Sequence, residues 1–271
     1  ECMAFSKEHA EIMNDDLFKL GIWMDYENAY MPINQDWIES VWFLIKKAEE
    51  KKRLYEGEKT MTWCAECETG LAKHECEYKT IVDKSIFVKF KVRNEKNKHL
   101  VIWTTTPWTI TFNLAVMVNP DLDYAEVQVG DETWILARDL VDKVMKDLGK
   151  DYVVLDEVKG SELKGLKYEH PWENEIQDYT KLKLKHPKIH TIVLSKEHVN
   201  LDAGTGLVHC APGCGPEDYE VGRENNIPPY NNINERGIFP ENMGEVSKLT
   251  AKKDDKKFIE KLESDGALIG S

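Results

Sequence analysis

The spacing of apolar residues changes along the chain and divides it into regions of different secondary structure. Residues 1 to about 60 repeat apolar positions at helical spacing, which predicts helices. The clearest helix follows "NQDW", where Asp36 and Glu39 resemble a capping box, and Gly57 ends the region. Five apolar positions of this helix are predicted to form one buried stripe: Ile38, Val41, Trp42, Ile45 and Ala48.

From about residue 80 to 210, apolar and polar residues alternate, as in half-buried β-strands. "KSIFVKFKV" and "HLVIWT" predict two strands, and "YAEVQVGDETWILA" predicts a hairpin that turns near Gly130. "RDLVDKVMKDLG" predicts a short helix ended by Gly149. "KLKLKHPKIHTIVL" predicts a further strand, with three lysines on one face: Lys181, Lys183 and Lys185.

Many short strands with few short helices predict an α+β fold, a barrel-like β-rich domain with flanking α-helices. Residues 81–245 are predicted to form that domain. Residues 1–80 would be a helical connecting region with a Cys-rich knuckle, and residues 246–271 a linker and a C-terminal helix. The chain does not begin with Met, so we expect an excised fragment. It contains neither a signal peptide nor a long apolar run, so no membrane association is predicted.

Charge and cysteine content narrow the function classes. The net charge of −13 argues against binding nucleic acid through bulk charge. The three lysines of the predicted strand could follow phosphates locally, or could simply be its solvent-exposed face. Six cysteines in 271 residues indicate a reducing, cytoplasmic compartment rather than a disulfide framework.

A cysteine-rich segment, "CAECETGLAKHEC", suggests a metal site. Cys64 and Cys67 have the spacing of a metal knuckle, and His74 and Cys76 could complete four zinc ligands. The same residues could instead be reduced structural thiols. Zinc is therefore one of two open interpretations of this segment.

The stretch "LVIWTTTPWTITFNLAVMVNP" has apolar flanks and a hydroxyl-rich centre. If its first residues form a buried strand, Thr104, Thr105 and Thr106 stand at the strand end, because Pro107 cannot donate to a strand ladder. Their hydroxyls would then face a cavity at the mouth of the barrel. The alternative is that threonine is simply a good strand residue.

A second stretch, "DAGTGLVHCAPGCGPEDYEVG", surrounds His209 with glycines and ends in Glu217 and Asp218. Glycines allow close approach of backbone to a ligand, and a histidine with a carboxylate can bind an amine or move a proton. No phosphate-binding glycine motif is present. Cys210 makes a poor nucleophile partner for His209, because adjacent strand residues point to opposite faces. A lone histidine is also commonly structural.

Together these two stretches resemble the signature blocks of the editing domain of isoleucyl-tRNA synthetases, in the class I aminoacyl-tRNA synthetase family. "KLGIWMDYENAYMPINQDWIESVW", "WCAECETGLAKHE", "GLKYEHPW" and "GIFPENMGE" also resemble that family. Valine enzymes of the family differ, with Arg-Pro-Glu after the threonines and a lysine in place of His209. The HIGH and KMSKS signatures are absent, so ATP would be used only by a part of the parent enzyme missing from this chain.

The resemblance implies hydrolysis of the ester that joins valine to tRNA(Ile), without a cofactor. A pocket shaped for isoleucine binds isoleucine only about 1–3 kcal/mol more favourably than valine. This amino-acid pair is the standard illustration of that limit. A second, smaller pocket is therefore needed. Thr104, Trp108 and His209 would wall that pocket and exclude isoleucine by overlap.

The remaining site residues also follow from the resemblance. Asp218 would hold the α-amino group of valine, with Glu217 ranked second. Thr105 and Thr106 would orient the ester, the terminal adenosine and an attacking water. That water is the preferred nucleophile, and His209 as general base ranks second. Asn113 would hydrogen-bond near the site or cap a turn, and Thr111 replaces a proline usual in the family.

The expected partners are the acceptor end of tRNA(Ile) carrying valine and the rest of the synthetase polypeptide, with the fragment itself a monomer. Three other functions stay open. The chain could bind the tRNA acceptor end without catalysis, or be the editing domain of a valine-type synthetase. A free-standing ester hydrolase is opposed by the lack of a nucleophile motif.

Overall fold

The computed structural model describes residues 1–271, and its contacts separate two compact units, Glu1–Gly57 and Glu58–Ser271. The division precedes the cysteine-rich segment, which therefore groups with the β-rich part, as does the C-terminal helix. The three-part organisation expected from the sequence, with boundaries near residues 80 and 245, stays a prediction. None of the helices is both long and apolar enough to cross a bilayer.

The first unit contains two helices, α1 (Cys2–Lys19) and α2 (Gln35–Glu50). The predicted helix after "NQDW" is confirmed, but the capping box is wrong, because Asn34 precedes the first turn and no side chain caps it. The apolar stripe of α2 is not buried: Trp42 is 64% exposed. Neither helix contains a buried residue, so this chain alone does not cover their apolar faces.

The second unit is built mainly from strands. They are β1 (Thr62–Cys64), β2 (Thr69–Leu71), β3 (Ile86–Val92), β4 (Lys98–Thr104), β5 (Ala115–Val118), β6 (Asp123–Val129), β7 (Glu132–Ala137), β8 (Val153–Lys159), β9 (Tyr168–Glu169), β10 (Thr191–Leu194), β11 (Leu207–Cys210) and β12 (Leu268–Gly270). Its α-helices are α3 (Val141–Leu148), α4 (Asp178–Lys185), α5 (Pro216–Asn225) and α6 (Asp255–Ser264). Short 3-10 helices occupy Lys73–Glu75, Pro107–Phe112, Arg138–Leu140, Gly160–Leu163 and Gly244–Val246.

Ten of the strands form one sheet that curls into a half-barrel, which confirms the predicted α+β class. The main strand order is β10-β5-β11-β4-β7-β6-β8, and β3 pairs with β4, β9 and β12. Strands β1 and β2 form a separate hairpin. The buried side chains between sheet and helices include large aromatic residues: Phe90, Phe112, Tyr124, Tyr168, Trp172, Tyr179, Phe239 and Phe258.

The alternating patterns predict most of these strands correctly. In β3, Ile86, Val88, Phe90 and Val92 are fully buried, while the residues between them are not. Strands β6 and β7 form the predicted antiparallel hairpin, with Gly130 at positive φ in its turn. Helix α3 ends as predicted at Gly149, which adopts the left-handed conformation that glycine tolerates.

The strand predicted for "KLKLK" is wrong, because these residues belong to α4 and the strand resumes only at β10. Residues two apart on a helix point in very different directions. Lys181, Lys183 and Lys185 therefore do not share one face for phosphates. Lys183 is half-buried against Glu173, whereas Lys181 and Lys185 are exposed.

One pairing positions the candidate site. Strand β11 lies between β4 and β5, parallel to the first and antiparallel to the second. Val208 lies opposite Trp103 on one side, and His209 lies opposite Val116 on the other. Because β4 and β5 flank the threonine-rich segment, this insertion brings the two sequence stretches together.

Candidate active site between strands β4 and β11

The threonine run ends a strand and begins a 3-10 helix. Thr104 is the last residue of β4, and its hydroxyl accepts a hydrogen bond from the N–H of Thr106 at 3.0 Å. Pro107 then starts the 3-10 helix, and the hydroxyl of Thr109 donates to the carbonyl oxygen of Thr106 at 2.8 Å. The hydroxyls thus hold a tight turn in place. The Thr105 side chain is exposed and makes no hydrogen bond within the chain.

A buried chain of hydrogen bonds fixes His209 behind this turn. The Tyr168 hydroxyl donates to Asn113 Oδ1, and Asn113 Nδ2 donates to the Ala115 carbonyl at 2.9 Å and to His209 Nδ1 at 2.8 Å. Because an amide nitrogen only donates, His209 Nδ1 is an acceptor and the ring proton lies on Nε2. Nε2 then donates to the Thr109 hydroxyl at 3.1 Å.

This arrangement leaves no free nitrogen on His209. Burial lowers its pKa to about 4, so the ring is neutral at neutral pH, in agreement with the hydrogen-bond directions. Since its basic nitrogen is already occupied by Asn113, the geometry favours a bracing role over that of general base. Asn113 hydrogen-bonds at the site, rather than only capping the turn before β5.

Thr111 and Trp108 complete the same short helix. The Thr111 hydroxyl donates to the Trp108 carbonyl at 2.7 Å, so this residue closes the segment by a hydrogen bond. The Trp108 indole packs edge-on against Phe112 and Phe239, with ring centroids 6.2 and 6.5 Å apart.

Asp218 is tied to the end of β11. It lies in the first turn of α5, and its Oδ2 accepts the N–H of Ala211 at 3.0 Å. Burial raises the pKa of Asp218, and the hydrogen bond from Ala211 opposes that rise. The neighbouring Glu217 is exposed. Of the two carboxylates, Asp218 is therefore the one held in a defined position.

A cavity of about 290 Å³ opens beside the threonine turn. Its buried lining includes Thr104, Thr205 and His209, and its more exposed lining includes Thr105 and His198. The structure thus brings together three residues singled out from two distant stretches of sequence. Asp218 and Glu217 are not among the lining residues.

Trp108 is separated from that cavity. It lines a different one, of about 500 Å³, with Thr60, Trp63 and Cys214. The structure therefore does not place Trp108 in one pocket wall with Thr104 and His209, and its role in substrate binding stays a prediction.

Two residues of the site are not singled out by the sequence. His198 lies in the loop after β10, outside every motif. Tyr168 lies in "GLKYEHPW", a block that resembles the family but suggests no role for this tyrosine, and its hydroxyl reaches Asn113 from a distant segment of the chain. Only the glycines at 204 and 206 hint that the preceding loop approaches something closely.

The four candidate zinc ligands do not form one group. Cys64 Sγ accepts the N–H of Cys67 at 3.3 Å, whereas Cys76 Sγ contacts the Ala72 carbonyl at 3.5 Å. Nowhere in residues 1–271 do three metal-binding side chains come close enough to hold an ion. The N–H of Cys67 lowers the pKa of the Cys64 thiol. Zinc with these four ligands stays a prediction.

Comparison with known proteins agrees with this architecture. The family model for tRNA synthetases class I (I, L, M and V) matches residues 1–180. The chain belongs to this family. The chain is 44% identical to the isoleucine–tRNA ligase of Methanocaldococcus jannaschii and 43% identical to that of Pyrococcus abyssi, in each case over 99% of its own length.

This chain spans only about a quarter of the length of these curated relatives, 27% and 26% respectively. Among solved structures it resembles the crystal structure of GlLeuRS-CP1, with a TM-score of 0.52 and 15% identity. That match covers 68% of this chain and 97% of the other. At this identity the likeness concerns the fold alone.

Proposed function

We propose that the chain is the editing domain of an isoleucine-specific class I synthetase and hydrolyses valyl-tRNA(Ile). The observation that carries this proposal is the cavity where Thr104, Thr105 and His209 meet. The relatives are isoleucine–tRNA ligases, and the fold is that of GlLeuRS-CP1. Both support the proposal.

The free hydroxyl of Thr105 is suited to orient either the ester or the attacking water, because no group of the chain occupies it. Water attacks the ester carbonyl carbon, and the bond between that carbon and the ribose oxygen breaks. The ribose oxygen leaves with a proton, so the products are free valine and tRNA with an intact terminal hydroxyl. No side-chain nucleophile is required.

Selection by size follows from the rigidity of the buried lining. His209 is held at both ring nitrogens, and Thr104 is held by the N–H of Thr106. A wall fixed in this way cannot yield easily to one more methylene, since overpacking costs about 1–3 kcal/mol. Isoleucine would therefore be excluded while valine enters.

Asp218 is the proposed anchor for the cationic α-amino group. Its carboxylate is held beside Ala211, two residues after His209, and Glu217 has no comparable fixation. Because Asp218 does not line the cavity, the amine would have to reach toward α5. On the other side of the turn, Thr106 would help to orient the ester, and Trp108 would contact the substrate.

The rest of the parent polypeptide is the second proposed partner. The exposed apolar residues of α2, among them Ile38 and Trp42, need a cover that residues 1–271 do not supply. Activation of isoleucine with ATP would belong to that missing part.

The test is release of valine from valyl-tRNA(Ile), compared with release of isoleucine from isoleucyl-tRNA(Ile). Selective loss of valine is expected, with Asp218→Ala reducing the rate about 100-fold and Glu217→Ala, its matched control, about 3-fold or less. Equal hydrolysis of the two esters would contradict the size-excluding pocket. Binding of tRNA without hydrolysis would favour the catalytically silent alternative.

A further inference from the structure

The cavity beside the threonine turn has a buried floor and an exposed rim. Thr104, Thr205 and His209 are buried, whereas His198 and Asn200 belong to the loop 195–204 at the surface. An aminoacylated nucleotide has the same division, with a small amino acid at one end and a large flat base at the other. The rim is therefore where the base of the terminal nucleotide must lie if valine occupies the floor.

The rim carries an aromatic ring, that of His198, without partners inside the chain. The His198 imidazole makes no hydrogen bond, ion pair or aromatic contact within residues 1–271. Only its backbone is fixed, since its N–H donates to the Ser195 hydroxyl at 3.3 Å. This contrasts with His209, whose two ring nitrogens are both occupied.

A second flat ring, Trp103, lines the same cavity and supports the backbone below the rim. A Cβ atom placed on Gly204 would lie 3.3 Å from the Trp103 ring, so the glycine backbone rests directly on the indole. The loop is therefore held at two points, at Gly204 on the indole and at the His198 N–H by the Ser195 hydroxyl.

We propose that the His198 ring is the surface on which the adenine of the terminal nucleotide stacks. The inference rests on the proposed function and deepens it by naming a residue that binds the nucleoside. Stacking on an aromatic face suits any base and needs no particular ring nitrogen. His198 is thus a binding residue, distinct from the groups that act on the ester.

The test uses two non-hydrolysable probes. One is valine joined through an amide to 3′-amino-3′-deoxyadenosine, and the other is the same amide on a ribose without the base. Calorimetry with His198→Ala should show about tenfold weaker binding of the adenine-containing probe and unchanged binding of the base-free probe. His198→Phe, which keeps a flat ring, should bind both probes within about twofold of the unsubstituted chain.

Glu197→Gln, an exposed neighbour that does not line the cavity, is the matched control and should leave both affinities unchanged. Thermal unfolding of each variant verifies that it is folded. The proposal is overturned if His198→Ala binds the adenine-containing probe normally, or if His198→Phe loses as much affinity as His198→Ala. Failure of the unsubstituted chain to bind either probe, together with absence of valine release, would overturn the proposed function as well.

Discussion

At the scale of single residues, His209 shows how a motif can mark a position without revealing what its side chain does. Its place among glycines suggested either proton transfer or amine binding. In the structure, both ring nitrogens make hydrogen bonds, one with Asn113 and one with Thr109. The neutral imidazole therefore supports the threonine turn in a fixed position.

The contribution of the neutral His209 ring to the free energy of unfolding should depend on pH. The pKa of His209 is about 4 in the folded chain and about 6.5 when unfolded, so the unfolded state takes up a proton that the folded state refuses. The contribution of His209 is complete above pH 6.5 and is lost as the pH falls toward 4, by about 3 kcal/mol in all. In His209→Asn, the free energy of unfolding should fall less steeply across this interval, as measured by urea denaturation.

His186→Asn provides the control, because His186 is hydrogen-bonded through its backbone and lies outside the His209 network. It should follow the pH dependence of the unsubstituted chain. If His209→Asn and the unsubstituted chain lose stability in parallel between pH 6.5 and 4, the interpretation of His209 as a neutral supporting ring is wrong.

The sequence could predict site residues that sit in dense motifs, and could not predict isolated ones. Thr104, Thr105 and His209 carried a signal because hydroxyls and glycines surround them in unusual number. Tyr168 and His198 stand in no such cluster of hydroxyls and glycines, because the folding of distant segments is what brings them to the site. Trp108 is a motif residue that lines another cavity, so its role in substrate binding stays a prediction.

At the scale of elements, periodicity worked where one face of an element is buried within this chain. Strand β3 and the hairpin of β6 and β7 meet that condition. It failed for α4, because alternating Lys and Leu suit a strand by pattern while both residues are good helix formers. It was half right for α2, whose helix forms although its apolar stripe stays exposed.

The turn that leads into β11 depends on one glycine. Gly206 has a φ of +75°, and a Cβ there would lie 2.3 Å from the Ala137 Cβ, closer than two carbons can approach. Gly206→Ala should therefore lower the free energy of unfolding by more than about 2 kcal/mol and displace the cavity lining. Denaturation in guanidinium measures the first effect.

A second glycine, Gly130, separates the effect of positive φ from the effect of the close contact. It also has a positive φ, of +60°, but a Cβ there would meet nothing within 4 Å. Gly130→Ala should cost only the backbone strain, about 1 kcal/mol. Equal losses for the two variants would show that the contact with Ala137 relaxes freely.

At the scale of the whole molecule, the buried core lies entirely in the second unit, from Ile86 to Ala267. Residues 1–57 contribute no buried side chain. A chain of residues 58–271 should therefore unfold cooperatively, with a free energy of unfolding within about 1 kcal/mol of the longer chain. Circular dichroism during thermal unfolding measures this, and a broad transition without a cooperative midpoint would contradict it.

The pairing of β11 with β4 has a consequence for the order of folding. It joins residues near 103 and 208, whereas the hairpin of β6 and β7 closes through a two-residue turn. Contacts between distant segments form late, because loop closure must precede them. Pulse-labelled hydrogen exchange should protect the hairpin amides before those of β11. During synthesis on the ribosome, the cavity would therefore form only after residue 210 has emerged, when most of the second unit has already been made.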